Sequence, residues 1–477
     1  MTYCFFVLPK NFLNKWRSMI HSDNHLTSSD MEPFVSKRLI SSRSRSLAGR
    51  INVPGDNLIS QLSLILGSLS IGETIIEGLL ESDEVLATAK AMQSFGVTVE
   101  QMDKSVYWRV VGRGVGGLDE PADVIRCDNT SSIVQLLIGA AVGQPITTFF
   151  TSNESFQYQS LSQIVEPLEN MGVKVIAHKE FTLPIAVTGP ETLVPISYLI
   201  TSSSVSIKPA ILIASIAAPG ETTLIESVKT YDHTENMLHY FGAEINIKNT
   251  EAGRCVSVFG EAELTGRQII IPANPSSAIF PAVAALLIED SEVLLPNVSI
   301  NPLRFYLFET LQEMGADIQL LNRRIKCGEP TADLVVRHSP LKGIEVPQEQ
   351  ALSMIDEYPI FIIAAACADG VTIMRGLVSR MKIKERNRLI DTIDDLIAAG
   401  VRIEIDGADL KVIGTSNGVA GGATISVDID DHIILAFLVL GMVSIDAIVI
   451  NAVTGIINSF PGFSKLMNKA GASIIYR

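Results

Sequence analysis

Cysteine is scarce in this chain, with five in 477 residues: Cys4, Cys127, Cys255, Cys327 and Cys367, never in CxxC spacing. An odd, scattered set excludes a readable disulfide framework or thiolate metal site and points to a reducing cytoplasm. The seven histidines contain no HExxH pair, so no metal site is legible. Long apolar runs are missing as well. The longest, IILAFLVLGMVSI at 433–445, stops at Asp446, short of the roughly 20 residues a membrane span needs. It reads as a buried helix running into a strand, and no membrane partner is expected. Positive charge is also in deficit: 37 Lys and Arg against 52 Asp and Glu, a net charge of −15. That balance disfavours nucleic acid and anionic membranes, and any anion site must concentrate the few cations there are.

The chain is rich in apolar residues. With 47% hydrophobic and 19% charged residues, it has material for more than one core, and its length favours two or three domains. CFFVL at 4–8 is too short for a signal sequence. Residues 1–40 read as a poorly ordered extension, ending in the basic, Ser-rich stretch that begins VSKRLISSRSRS.

One phrase recurs six times: FGVTV, MGVKV, FGAEI, MGADI, AGVRI and AGASI, carrying Gly96, Gly172, Gly242, Gly315, Gly400 and Gly471 at intervals of about 70 to 85 residues. Before each lies a helical stretch. In SDEVLATAKAMQSFG, Ser82 or Asp83 can cap the helix start and Gly96 can close it in the left-handed conformation. A second, wholly apolar helix such as IVQLLIGAAVG, PAILIASIAA or AIFPAVAALLI separates the copies. The unit reads β-α-β-α-β. Three units closing on one another make a lobe, so six predict two similar α/β lobes with a cleft between them.

VPGDNLISQLSLI, at 53–65, turns at Pro54-Gly55-Asp56 and enters a helix, an arrangement suited to anions, yet no Lys or Arg follows before Lys90. Together with EGLLESDEVLATAKAM, ESVKTYDHTENML, PSSAIFPAVAALL, NVSINPLR, MIDEYP and NSFPGF, it resembles the 5-enolpyruvylshikimate-3-phosphate (EPSP) synthase family from about residue 45 to the C-terminus. The resemblance implies a two-lobed, inverted α/β barrel-like fold of six repeats. Residues 54–271 would form the first lobe; residues 41–53 with 272–477 would form the second. It also implies a monomeric transferase with no metal or organic cofactor, which moves an enolpyruvyl group from phosphoenolpyruvate to shikimate 3-phosphate, each a small molecule of roughly −3 charge.

Carried over residue by residue, the resemblance makes Asp356 a base on the acceptor hydroxyl, Lys384 and Glu385 proton-transfer groups, and Arg388 a carboxylate grip. Ser60, Asn129, Ser204 and Lys208 would bind substrate. Against this, the family's P-G-D-K-S-I-S-H-R reads PGDNLISQL here, placing Asn57, Leu58 and Leu62 at the Lys, Ser and Arg positions. Gln135 and Gln159 stand at two further Arg positions, Ser206 replaces a Gln, Asn458 replaces a Lys, and the Arg expected beside His432 is missing. At roughly 1.5 kcal/mol for each lost charged hydrogen bond, five missing cations cost about 7 kcal/mol, or five powers of ten. The expectation is therefore a family member altered towards a less anionic cyclic substrate. The alternatives are a non-catalytic homologue and a genuine 3-phosphoshikimate 1-carboxyvinyltransferase with compensating residues. Plainer roles compete at each position. Asp356 could cap the next helix, Glu385 and Arg388 could pair on a helix face, DNTSS and DHTE read as helix starts, and His432 reads as an interior histidine.

Overall fold

The computed structural model describes residues 38–477 apart from 103–105, 129–130, 154–156, 202–205, 382, 416–417, 428–429 and 453–457, and describes only the backbone at Ser131, Leu352, Ser379, Arg380, Ile383, Lys384, Glu385, Val427 and Ala452. Among the described residues, six four-stranded sheets carry the fold. Twelve helices of eight residues or more accompany them: α1 Asn57–Ser68, α2 Asp83–Ser94, α3 Ser131–Ala141, α4 Ser162–Asn170, α5 Ile207–Ser215, α6 His233–Phe241, α7 Pro275–Leu287, α8 Tyr306–Glu313, α9 Tyr358–Ala366, α10 Ile383–Ala398, α11 Asp431–Val443 and α12 Phe463–Ala470.

In each sheet two strands run parallel, as Ser197–Ile200 does beside Glu221–Glu226 across the α5 crossover. In five of them an antiparallel hairpin completes the four, such as Glu244–Thr250 with Gly253–Phe259; in the sixth the added antiparallel pair is Arg38–Ser42 with Ser473–Tyr476. The unit thus holds four strands where the sequence suggested three. The extra strand is a solvent-facing hairpin arm with weak apolar alternation, exposed along most of Glu244–Thr250. All six phrase glycines adopt positive φ, from +81° at Gly96 to +123° at Gly471, which is why glycine recurs where each outer helix turns into its strand. Ser82 does cap α2, accepting from the Val85 amide.

The inner helices α1, α3 and α5 fill one core, and α7, α9 and α11 fill the other. Every residue of α9 is buried, as are residues 433–442 of α11. Each large aliphatic or aromatic side chain so buried contributes roughly 1.5–3 kcal/mol. The buried apolar residues separate into two clusters, one over residues 59–271 with Cys327 and one over residues 39–53 and 273–474. Residues 38–40, read from sequence as the end of the extension, belong to strand Arg38–Ser42, which pairs on one side with Ile448–Ala452 and on the other with Ser473–Tyr476.

Two strands trade places between the lobes. Ala48–Arg50 runs beside Glu292–Ser299, while Gln268–Ile270 runs beside Glu73–Glu77. The chain therefore crosses at 51–56 and again at 271–274, and the two crossings are bonded together. The Asp56 amide donates to Pro272 O at 2.9 Å, and the Asn274 amide donates to Pro54 O at 3.0 Å. Gly55 is needed there for clearance: a Cβ would sit 2.5 Å from Gly78 O and 2.7 Å from Ile271 Cγ2.

Candidate active site between the lobes

The starts of α1, α7 and α11 bring unpaired N–H groups and positive dipole ends, which draw anions. In this chain their own side chains fill those positions. Asp56 accepts from Ile59 N, Asn274 accepts from Ser276 N, and Asp430 accepts from His432 N and Ile433 N. Asp430 is also ion-paired with Arg388 of α10.

At the crossings lies a cavity of about 280 Å³ lined by Asp56, Asn57, Leu58, Gln61, Glu84, Ser132, Leu136, Ser206, Tyr231, Asn274 and Arg304. Its one cation among the described residues, Arg304, is committed. The guanidinium lies 4.3 Å from the Tyr231 ring centroid, 3.8 Å from Asp56 Oδ2, and donates to Ser276 Oγ at 2.9 Å. Ser276 Oγ in turn donates to Glu357 at 2.5 Å. Burial pushes the Glu357 carboxyl up, and the neighbouring Asp356 adds to the shift, against the opposing pull of Ser276 and Arg304. A larger hollow, about 670 Å³, lies at the opposite, C-terminal ends of α7 and α11 beside Arg43 and Arg45, away from the crossings.

The residues singled out from sequence fare unequally. Ser60 is fully buried, donates to Asp56 O at 2.7 Å and accepts from Leu80 N, which ties α1 to the chain at residue 80. Lys208 is buried and held by Glu235 at 2.8 Å and Glu226 at 3.2 Å. Within the lobe its charge is thus answered by two carboxylates rather than left facing the cleft. Leu62 lies in the first-lobe core. Asp356 does not cap α9: the cap position is Glu357, with no side-chain cap bond, and the Asp356 charge is felt by Arg304, Tyr231 and Glu357. Arg388 takes Asp430 as partner, and His432 is half-buried against Phe280 at 5.8 Å. Asn129, Ser204 and the side chains of Lys384 and Glu385 lie outside the described residues. Sequence reading missed Arg304, Tyr231, Glu357 and Glu84. Arg304 stood in the quoted NVSINPLR, where a lone cation in an acidic chain was the available signal.

DHTE does start a helix, though neither Asp232 nor Thr234 caps it by a side-chain bond. Asp232 instead accepts from Asn301 at 2.7 Å, while His233 Nδ1 meets Glu329 at 2.9 Å, joining the two lobes. Burial alone would depress the His233 imidazole's affinity for its proton, but the Glu329 carboxylate outweighs that and leaves its pKa raised, with Glu329 lowered in turn. The pair's stabilisation is fully present below the unfolded histidine value of about 6.5 and is lost as pH rises through the folded value. On the acid side it fails as Glu329 is protonated. Denaturant titrations across rising pH should show stability falling, with Glu329→Gln flattening that dependence.

The family described as EPSP synthase (3-phosphoshikimate 1-carboxyvinyltransferase) matches residues 42–467. The chain belongs to the EPSP synthase family. A relative named 3-phosphoshikimate 1-carboxyvinyltransferase from Paramagnetospirillum magneticum is 46% identical over 92% of this chain and 98% of its own length. One of the same name from Rhodospirillum rubrum is 44% identical over 93% and 99%. The solved EPSP synthase of Acinetobacter baumannii superposes with a TM-score of 0.84 at 32% identity, covering 92% of this chain and all of that one. An enolpyruvyl transferase from Streptomyces tendae shares the fold, with a TM-score of 0.71 at 14% identity over 93% of this chain and 99% of that one. The resemblance found in the motifs and the two-lobed α/β architecture are thus both confirmed for this EPSP synthase family chain, which among the described residues has no helix long and apolar enough to cross a membrane.

Proposed function

We propose that this chain performs enolpyruvyl transfer of the family's kind on a cyclic hydroxyl compound that carries less negative charge than shikimate 3-phosphate. In this reading Asp356 accepts the acceptor's hydroxyl proton, and Lys384 and Glu385 of α10 handle the proton exchanged at the enol carbon. Arg388 would have to leave Asp430 to grip a carboxylate. The observation that carries the proposal is the cavity wall: its one described cation is already paired with Asp56, and the helix starts around it are capped by the chain's own side chains. Two ligands of roughly −3 each would meet amides and carboxylates there.

A second reading has its own support. Identities of 42–46% across at least 90% of the chain, to relatives all named 3-phosphoshikimate 1-carboxyvinyltransferase, favour the unaltered transferase. Phosphate release from phosphoenolpyruvate and shikimate 3-phosphate, measured beside the Paramagnetospirillum relative, separates the two. The expected kcat/KM is lower than the relative's by about three to five powers of ten, the scale of several lost charged hydrogen bonds. Turnover within tenfold of the relative would establish the second reading and end the first.

A further inference from the structure

Of the basic, Ser-rich stretch VSKRLISSRSRS, residues 38–42 form a strand, and Arg43-Ser44-Arg45 follow at its end. These three line the hollow of about 670 Å³ at the C-terminal ends of α7 and α11, whose starts lie at the cleft. Arginines at helix ends commonly do no more than complement the dipole and answer the last carbonyls. Here backbone amides already answer carbonyls at all three ends. Ser339 N donates to Leu286 O at 3.2 Å, Ser44 N to Met442 O at 2.9 Å, and Thr415 N to Ala366 O of α9 at 2.9 Å. His338 Nδ1 donates a second bond to Leu286 O at 2.8 Å. Arg43 and Arg45 are exposed, on the wall of the hollow.

Between the two arginines, Ser44 is only 8% exposed, and its Oγ is buried without a hydrogen-bond partner among the described residues. Ser41 on the same stretch shows the contrast, donating its Oγ to Leu438 O at 2.6 Å. A buried hydroxyl left unpaired costs stability, and this one lines the hollow, where a ligand can pair it. The same lining supplies Glu289 and Asp369, just past the ends of α7 and α9, where helix dipoles also favour positive charge. Leu286, Leu341 and Met442 are buried there and add an apolar surface. A simple anion would meet two carboxylates and three helix C-termini besides the arginines, whereas a zwitterion suits both sets. We infer that this hollow is a binding site, separate from the cleft, for an α-amino acid with a large apolar side chain. Its carboxylate is taken by Arg43, Arg45 and the Ser44 hydroxyl, its ammonium by Glu289 and Asp369, and its side chain by Leu286 and Met442. The volume lies within the roughly 300–1,000 Å³ usual for small-ligand sites. The inference holds whichever acceptor the cleft takes.

The test is calorimetric titration of the whole chain, near neutral pH, with L-phenylalanine, 3-phenylpropanoate and 2-phenylethylamine. The last two each keep the ring and one charged end. Phenylalanine is expected to bind about tenfold more tightly than either, the worth of one charge-assisted hydrogen bond at its low end. The double variant Arg43→Gln with Arg45→Gln should erase its advantage over the amine, and Glu289→Gln with Asp369→Asn its advantage over the acid. Ser44→Ala should weaken phenylalanine binding by about tenfold without lowering the denaturation midpoint, because the hydroxyl has no partner to lose in the free chain. A serine that served only the fold would do the reverse. Absence of phenylalanine binding, affinity no better than the analogues', or binding that survives both the arginine pair's replacement and Ser44→Ala overturns the proposal. The last result would put the ligand elsewhere on the chain.

Discussion

Replacing Lys208 with Met is expected to destabilise the protein by about 3–5 kcal/mol, the cost typical of breaking a buried ion pair from one side. Glu226 and Glu235 are both buried, and Lys208 and Arg254 are the cations that serve them. Lys208 Nζ sits 3.2 Å and 2.8 Å from them, and Arg254 Nη1 lies 3.0 Å from each. Thr230 adds its amide and hydroxyl to Glu226. Without the lysine, two carboxylates must share one guanidinium in a place water cannot reach. Burial already raises the Glu235 pKa, although Lys208 and Arg254 pull it down, so removing the lysine lets it rise further. A carboxyl whose folded pKa is raised gains stability as pH falls through that value, and the Lys208→Met deficit should shrink on acidification. Removing both partners, as in Lys208→Met with Glu235→Leu, should restore most of the loss, because a well-packed apolar pair avoids the desolvation cost altogether. Urea denaturation at several pH values measures all of this. A single-variant loss under 1 kcal/mol would show that the pair is not closed to solvent.

Gly139→Val should be nearly as damaging. At Gly139 helix α3 meets α5 so closely that a Cβ would lie 2.3 Å from Ala210 O and 2.9 Å from Ala210 Cα. These are backbone atoms, which cannot swing aside as the end of a side chain can. α5 is buried throughout and most of α3 is buried with it in the first core, so separating them opens voids elsewhere in a close-packed interior. The expected cost is about 3 kcal/mol, the upper end for overpacking. Gly143→Ala makes the control: its new Cβ would meet Ala217 Cβ at 3.2 Å, a contact that a small shift relieves. Equal denaturation midpoints for the two variants would contradict the close crossing.

The scaffold was legible because it repeats. Six glycines in one phrase mark six positive-φ turns, and the uniformly apolar stretches between them became the buried inner helices. The site was legible only in outline. Sequence placed Lys208 and Ser60 beside the cleft by their motifs, but motif position does not fix which way a side chain turns. Lys208 turned towards Glu226 and Glu235, whose approach depends on the pairing of Glu221–Glu226 with Gly253–Phe259. Arg304 entered the cavity from the other lobe because the crossings at 51–56 and 271–274 bring the lobes together, a long-range fact that no local window carries. The asymmetry at the cleft was readable in one respect. An acidic chain with Asn57 and Gln135 at motif cation positions predicted a wall short of positive charge; of these two, Asn57 lines the cavity, beside Glu84.

The strand Arg38–Ser42 lies between Ile448–Ala452 and Ser473–Tyr476, so the first described strand to leave the ribosome waits for the last. During synthesis both its edges stand open while the 59–271 core can assemble and compact. The second core closes only when the terminal residues arrive, making its completion a late, long-distance and intrinsically slow pairing. A nascent chain cut short near residue 445 would carry a finished first half and an unsealed second, with a bare strand available to pair with another chain.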